Sequence, residues 1–582
     1  MSAAPPALSS YVLRHKVRIA ASIVAIAATV SLQILLPFLV RYVIDGLDAG
    51  TLSRDELGAA IGLFLVGTGL SVWTGLLMRR LPLRLGYDVE RQIRDDLFAH
   101  LSTLDRGFFA SHQTGDLMTR ASSDLGNVRE YVGQGLLQGI RTTLVVTLAF
   151  SIMAFISPPL TMVMIVLLPG ISVLCFFVLR LIRPRHDAVQ QQLSDLTHFT
   201  QESFSGIRTL KGYAIEDRSA QRFTDLNGEF VRRNLALSLV ERGIWPLFLF
   251  LFALGQVLLL VVGGRLVVQH HLTIGGLVLF MQYMAYMQWP MLALGWAMNL
   301  LVRGRASWRR VQTLLQTEPK VRDGTVTQPG LRDVRGDIEF RHISLTLDGQ
   351  PLLRDIHVTF PEGATIGITG PTGSGKSLLA ALLVRLVEPT EGQVFIGVHD
   401  IREFPLQVLR GHIGIATQEP FLFAETLESN ILFGVDEPDP KTLEWAAEVA
   451  QLHGDVETFP ARYETMLGER GVTLSGGQRR RAAISRAVAR NPEILILDDV
   501  LAAVDTQTEA RILERLRGVL KERTSIVVSH RISSLRQADL ILVLENGRIT
   551  ELGTHADLLQ RDGYYRNLER IQRLEAALEE RA

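Results

Sequence analysis

Gly370, Pro371, Thr372, Gly373, Ser374, Gly375, Lys376 and Ser377 fit the spacing G-x-x-x-x-G-K-[ST]. Glycines there let backbone N–H groups turn inward around phosphate oxygens. The lysine reaches the β- and γ-phosphates as a point charge, and the hydroxyl after it can ligate Mg²⁺. A second stretch, Ile494-Leu-Ile-Leu497, ends in Asp498 and Asp499. A carboxylate at the end of a buried strand beside such a loop is placed to hold Mg²⁺, directly or through water. The chemistry implied is binding and hydrolysis of a nucleoside triphosphate. Such a loop needs a strand before it and a helix after it. Ala364-Thr-Ile-Gly-Ile-Thr369 reads as a buried strand. Leu378-Leu-Ala-Ala-Leu-Leu383 reads as a helix whose N-terminal dipole faces the phosphates. Asn491-Pro492 supplies the turn before the second strand.

Between these two elements stand Leu474, Ser475, Gly476, Gly477 and Gln478. With this run in place, the sequence resembles the ATPase domain of ABC transporters. The resemblance assigns further roles. Gln418, in Ala416-Thr-Gln-Glu-Pro-Phe-Leu-Phe423, matches the glutamine loop that senses the γ-phosphate. Asp505 matches the D-loop aspartate, and His530, in Val527-Val-Ser-His-Arg531, matches the switch histidine. The implied metal set is Ser377, Gln418 and Asp498, and the implied catalytic set is Asp499, His530 and Gln418. Ser475 and Gly477 are expected to donate hydrogen bonds to the γ-phosphate held by another chain's loop. ATP and Mg²⁺ are the expected substrate and cofactor.

Two departures from the family pattern fall on the same nucleotide face. The family usually has Glu after the strand-terminal Asp, as the base that polarises the attacking water, whereas this chain has Asp499. Losing one methylene draws the carboxylate back by about 1.5 Å, near a C–C bond length. General-base work needs hydrogen-bond reach, so the retraction is expected to slow the site. The family also usually stacks an aromatic ring on adenine. The aligned residue in Ile343-Ser-Leu-Thr-Leu347 is Leu347, which has no π face.

The N-terminal half has a different texture. Apolar runs at 19–43, 57–78, 133–156, 159–182, 244–268 and 274–301 approach or exceed the ~20 residues that cross a bilayer. Six spans are expected. The first follows Arg14, Lys16 and Arg18 but is too long for a signal-peptide core, so it reads as a retained span. Basic residues crowd before span 1, after span 2 (Arg79, Arg80, Arg84), after span 4 (Arg180, Arg183, Arg185) and after span 6 (Arg303, Arg305, Arg309, Arg310). The positive-inside rule therefore puts both termini and the ATPase in the cytoplasm. Segments 80–130 and 184–242 are polar and helix-compatible, and should carry the spans beyond the membrane. Within them, residues 108–120 and 202–213 resemble the turnarounds of ABC exporters, which form short coupling helices. The whole chain then resembles an ABC exporter half-transporter, most closely the bacterial multidrug-type halves that work as heterodimers.

Composition agrees. The chain has 582 residues, too many for one domain, and is 47% hydrophobic. Its formal net charge is zero, which argues against a nucleic-acid partner. Its one cysteine, Cys175, has no intrachain disulfide partner. The expected organisation is multidomain: an all-α six-helix transmembrane domain at 1–320, a linker at 321–336, an α/β P-loop ATPase at 337–563 and a C-terminal helix at 564–582. In that helix Leu568, Ile571, Leu574 and Leu578 recur near helical spacing. They read either as a packed helix or as a short zipper against a partner's tail.

Arg141 in span 3 marks a candidate cargo cavity, because an arginine at membrane depth usually has a function or a partner. Gln134 and Gln138 precede it by one and two turns. Span 6 adds Gln282, Gln288, Asn299 and Trp296, with Pro290 placed to kink it and soft methionines between. The reading is an ATP-driven exporter of hydrophobic or amphiphilic compounds in a bacterial cytoplasmic membrane, paired with a second, non-identical half and contacting membrane lipid. A lipid flippase, a peptide or siderophore exporter, or a slow homodimer would share these features. A soluble ABC ATPase is excluded by the spans. An importer ATPase is disfavoured, since importers usually carry the membrane domain on a separate chain.

Overall fold

Every backbone polar group must be satisfied internally in lipid, so the apolar runs are expected to be continuous helices. The computed structural model describes residues 7–347, 349–501, 506–520 and 523–579. Six long helices carry the six runs: α1 (Lys16–Asp48), α2 (Arg54–Leu101), α3 (Thr114–Ile156), α4 (Pro158–Ser205), α5 (Glu216–Val268) and α6 (Ile274–Gln316). Among the described residues, α1, α2, α3 and α5 each hold a stretch long and apolar enough to cross a membrane. Local chemistry sets their starts. Ser53 and Glu56 form a reciprocal capping box at α2. Pro158 opens α4, where its missing N–H costs nothing. At α6, Thr273 Oγ1 accepts from the Gly276 N–H at 3.0 Å, and Asp45 at the end of α1 accepts from the Gly275 N–H at 2.8 Å.

α3 contains two π-helical turns, Arg120–Asp124 and Tyr131–Gly135. Beside the second, α2 and α3 approach closely. A Cβ on Gly86 would stand 2.8 Å from the Arg129 carbonyl, and one on Gly133 would stand 3.0 Å from that of Pro82. The apolar core of the bundle draws on α1, α3, α4, α5 and α6, with Val30, Met153, Met164, Phe252 and Tyr283 fully or almost fully buried. Below it a buried acid ties α3 to α6. Asp124 accepts from the Ser307 hydroxyl and from Arg310 Nε, both at 2.8 Å.

The chain divides into two compact units, 1–102 with 114–317, and 103–113 with 318–582. The expected 1–320 segment thus falls largely in the first unit. The segment around the short helix Arg106–Ser111 groups with the second unit. Within that unit the Asp105 carboxylate caps the helix through the Phe108 N–H at 3.2 Å and also accepts the Lys320 N–H at 3.0 Å. The other turnaround holds a second short helix, Ile207–Gly212.

The second unit is α/β. An antiparallel sheet has the order β2-β1-β4-β5, with β1 Ile338–Leu347, β2 Gln350–Phe360, β4 Glu391–Ile396 and β5 His399–Asp400. A six-stranded sheet has the order β10-β9-β3-β8-β7-β6. Its strands are β3 Thr365–Thr369, β6 Ile413–Ala416, β7 Ile494–Asp498, β8 Thr524–Val528, β9 Leu540–Glu545 and β10 Arg548–Gly553. All but β10 run parallel. Both faces of this sheet are covered, so its strands read as unbroken apolar runs. On β7, Ile494 and Ile496 enter one core while Leu495 and Leu497 enter the other. Helices α7 (Lys376–Leu383), α8 (Pro440–Val449), α9 (Gly476–Ala489), α10 (Thr506–Leu520) and α11 (Tyr564–Glu579) complete the unit. A separate helical core holds Leu443, Leu467 and Leu474, and α9 joins it to the sheet: Ala482 packs into the helical core and Ala483 into the sheet's.

Replacing Asp124 by Ala should strand Arg310 and Ser307. Arg310 is half exposed, so the loss is that of hydrogen bonds to a charged group, about 1.5–3 kcal/mol. We expect the apparent melting temperature of the detergent-solubilised protein to fall by several degrees, and an unchanged melting curve would contradict this role.

Candidate nucleotide site and membrane cavity

Four adjacent strands of the parallel sheet bring the predicted nucleotide residues together. The phosphate loop follows β3, His530 follows β8, Asp498 ends β7 and Gln418 follows β6. The register holds them level: Ile368 pairs with Val528, Asp498 with Val528 and Ala416 with Leu497. Ligands of open α/β sheets bind at this carboxyl edge.

The loop's shape depends on glycine. Gly370, Gly373 and Gly375 have φ of 143°, 79° and 102°, values that side chains disfavour. At Gly370 a Cβ would also lie 2.0 Å from the Leu544 carbonyl oxygen. Lys376 begins α7, and its Nζ donates to the carbonyls of Gly370 at 2.9 Å and Pro371 at 2.8 Å, which holds the ammonium over the loop. Burial pulls its pKa down, and Asp499 and Asp498 oppose that shift. Thr372 and Gly373 are exposed on the loop.

Ser377 Oγ donates to Asp498 Oδ1 at 2.9 Å. Burial raises the Asp498 carboxyl above its ordinary range, Ser377 opposes this, and neighbouring Asp499 adds to it. Asp499 is 8% exposed and sits in the left-handed region at φ 49°, with its N–H donating to the Val528 carbonyl at 2.9 Å. Gln418 Nε2 donates to Asp499 Oδ2 at 3.3 Å, while Asp499 Oδ1 is buried without a partner. Ser374 Oγ and Thr369 Oγ1 are buried without partners too. Orphaned atoms clustered at one loop are those that a phosphate, a cation or water would satisfy. His530 is half-buried, and burial first, then Lys376, holds its imidazole below its ordinary value.

The donor set is hard oxygen, Ser377 Oγ with Asp498 Oδ1, which suits Mg²⁺. That ion takes one or two protein oxygens and completes its shell with phosphate and water. Among the described residues there is no cluster of three His, Cys, Asp or Glu able to hold a metal unaided. Gln418, the third residue of the expected metal set, places its side-chain amide against Asp499, beside Asp498.

Ser475 caps α9, accepting from the Gln478 N–H at 3.2 Å, while Gln478 Oε1 accepts from the Ser475 N–H at 3.0 Å. Leu474 is buried beneath, whereas Ser475 and Gly476 are exposed. The N-terminus of a 14-residue helix therefore faces outward. Asp505 lies outside the described residues. Leu347 closes the β1–β2 pairing opposite Gln350, with its side chain 40% exposed.

The sequence reading missed two residues that hold the switch loop. Gln572 of α11 donates to the His530 carbonyl at 2.7 Å and accepts from the Ile532 N–H at 2.9 Å. Glu509 of α10, almost fully buried, pairs with Arg531 and accepts from Ser533 Oγ at 2.9 Å and Ser534 Oγ at 2.7 Å. Neither residue belongs to a motif. The C-terminal apolar stripe divides: Leu568 packs on the core with buried Tyr565, whereas Ile571, Leu574 and Leu578 are exposed.

In the first unit, Gln134, Gln138, Arg141 and Trp296 line one cavity of about 360 Å³. Arg141 also borders a second cavity of about 150 Å³, with Gln33, Tyr283, Tyr286 and Trp289. Gln282 and Gln288 line neither of these two cavities, to which span 6 contributes Tyr283, Tyr286, Trp289 and Trp296.

The chain matches the family model for the ABC transporter transmembrane region over residues 19–291 and that for ABC transporter over 353–502. The probable multidrug resistance ABC transporter protein YheI of Bacillus subtilis is 35% identical, covering 98% of this chain and 97% of its own. The chain belongs to the ABC transporters. The multidrug resistance-like protein MdlA of Escherichia coli is 34% identical over 98% of this transporter and 97% of its own length. A solved bacterial Atm1-family ABC exporter with ATP bound superposes with TM-score 0.80 and 25% identity, over 95% of this transporter and 99% of that chain. The transporter thus has the exporter fold, a helical transmembrane domain fused to an α/β ATPase, and hydrolyses ATP coupled to transport.

Lys376→Ala should weaken ATP binding, because a hydrogen bond to a charged group is worth about 1.5–3 kcal/mol, roughly 10- to 150-fold. Photolabelling with an ATP analogue reads this, and undiminished labelling would refute the assignment. For Gln572→Ala we expect turnover to fall several-fold with little change in KM for ATP, since the switch carbonyl is released and the phosphate loop is not. An equal rise in KM would point to general damage.

Proposed function

We propose that this transporter is one half of an exporter of hydrophobic or amphiphilic compounds, paired with a non-identical half, and that its own ATP site is slow. The observation that carries the reading is Asp499. Its carboxylate stands where the family usually has Glu, about one C–C bond shorter in reach, about 1.5 Å. Its backbone is fixed by the bond to Val528, and one of its oxygens is engaged by Gln418. Leu347 in place of an aromatic platform supports the same reading.

The loop N–H groups and Lys376 bind and orient the triphosphate. Ser377 and Asp498 would hold Mg²⁺, which supplies charge neutralisation when bound. His530 contacts the γ-phosphate side, and Gln418 orders the space before Asp499. The outward N-terminus of α9, with Ser475 and Gly477, completes the ATP site of the opposite chain, so a slow site here coexists with an intact contribution there. The 103–113 segment is the natural route by which nucleotide events reach the spans, since it groups with the ATPase unit. We place the ATPase and both termini in the cytoplasm on the strength of the basic flanks. Relatives with multidrug names support a hydrophobic or amphiphilic cargo.

In the purified two-chain complex, Asp499→Asn should lower hydrolysis only modestly, and Ser475→Ala should lower it more, because it damages the faster site. Near-total loss from Asp499→Asn, or fast hydrolysis by this chain alone, would overturn the reading.

A further inference from the structure

The six spans contain no aspartate or glutamate at all; their charged residues are Arg41, Arg141, Arg180 and Arg265. Arg180 and Arg265 stand near span ends, where a long side chain can reach the interface. Arg41 pairs with Asp45 at 3.3 Å. Arg141 has no such outlet. It lies in the ninth position of 133–156, about 12 Å into the span at 1.5 Å per residue. Its Nε is buried without a hydrogen-bond partner, and no ion pair to it is formed among the described residues. It lines the 360 Å³ cavity, and so does Arg79, another arginine without an ion-pair partner among the described residues. The rest of that wall is largely apolar, with Leu137 and Trp296, and carries two neutral amides, Gln134 and Gln138.

A guanidinium in a low-dielectric bundle is costly unless a negative group meets it, and the six spans carry no carboxylate to do so. Resting on the cargo-cavity reading above, we propose that the cavity takes an amphiphile with one anionic headgroup, a carboxylate, sulfonate or phosphate. The headgroup sits on Arg141 with Arg79 nearby, and the apolar body lies along Leu137 and Trp296. The planar fork of arginine matches the two oxygens of such a group. The aromatic rings by Arg141 would by themselves attract cations. Charge–charge repulsion from two arginines outweighs ring attraction at comparable distance, so cationic amphiphiles are disfavoured.

The test uses the full-length transporter with its partner chain in phosphatidylcholine nanodiscs. Three probes share one tail: pyrenebutyrate, pyrenebutanol and pyrenebutyltrimethylammonium. Fluorescence titration should give pyrenebutyrate about tenfold tighter binding than the alcohol, with the ammonium weakest. Arg141→Gln should bring pyrenebutyrate to the level of the alcohol, while Arg141→Lys, which keeps the charge, should retain part of the preference. Equal or tighter binding of the ammonium, an unchanged preference in Arg141→Gln, or no binding of any probe above empty nanodiscs would overturn the proposal. Repeating the titration with phosphatidylglycerol separates the sources of the anion. Competition identifies a lipid headgroup and its absence a small solute, and either result upholds the anionic class. ATP-driven uptake into inside-out vesicles tests the export reading separately. Headgroup preference without uptake would sink export alone, and preferred uptake of the ammonium would sink the anion proposal alone.

Discussion

Parallel strand pairing is the constraint on which the nucleotide site depends. Residues 370–377, 418, 498–499 and 530 are far apart in sequence, and each is useless alone. The hydrogen bonds of β3, β8, β7 and β6 set four chain segments side by side and in step, with all their carboxyl ends at one edge. A slip of one residue in β7 would exchange Ile496 for Leu497 across the two cores and would carry Asp498 off the level of Ser377. Burial of both sheet faces therefore fixes the chemistry as firmly as the side chains do. It also shifts them: the same desolvation raises the Asp498 carboxyl and lowers Lys376 and His530.

A second link joins the two ends of the ATPase chemistry. Arg486 of α9 donates to the Asn430 carbonyl at 2.7 Å, to the Phe421 carbonyl at 2.8 Å and to Asn430 Oδ1 at 2.9 Å. Burial pulls its pKa down to about 10. Phe421 follows Gln418 by three residues, and α9 begins at the outward-facing Ser475 cap. The loop that meets Asp499 and the helix capped by Ser475 are thus fastened to one half-buried guanidinium.

The phosphate loop was legible because its backbone leaves almost no choice of residue: Gly370 has no room for a Cβ, and Lys376 must reach over the loop. The spans were legible because lipid demands long apolar runs. Gln572 and Glu509 were not, because a glutamine or glutamate on an amphipathic helix looks like any solvated residue until the fold brings it to the switch loop. Helical phase explains the span 6 result. Tyr283, Tyr286 and Trp289 share the face turned to Arg141, and Gln282 and Gln288 stand at other phases of the same helix. Asp105 in the 103–113 segment caps its helix and meets Lys320, a double role invisible in the sequence.

The central claim is that the retracted carboxylate of Asp499 leaves this chain's site holding intact ATP while its partner's site turns over. Photo-crosslinking with azido-ATP, labelled at the α- or the γ-phosphate, reads this directly. The complex is allowed to hydrolyse, irradiated, and its two chains are separated. The account predicts that this chain retains both labels, whereas the partner chain keeps the α label and loses the γ label. Loss of the γ label from both chains at the same rate would contradict it.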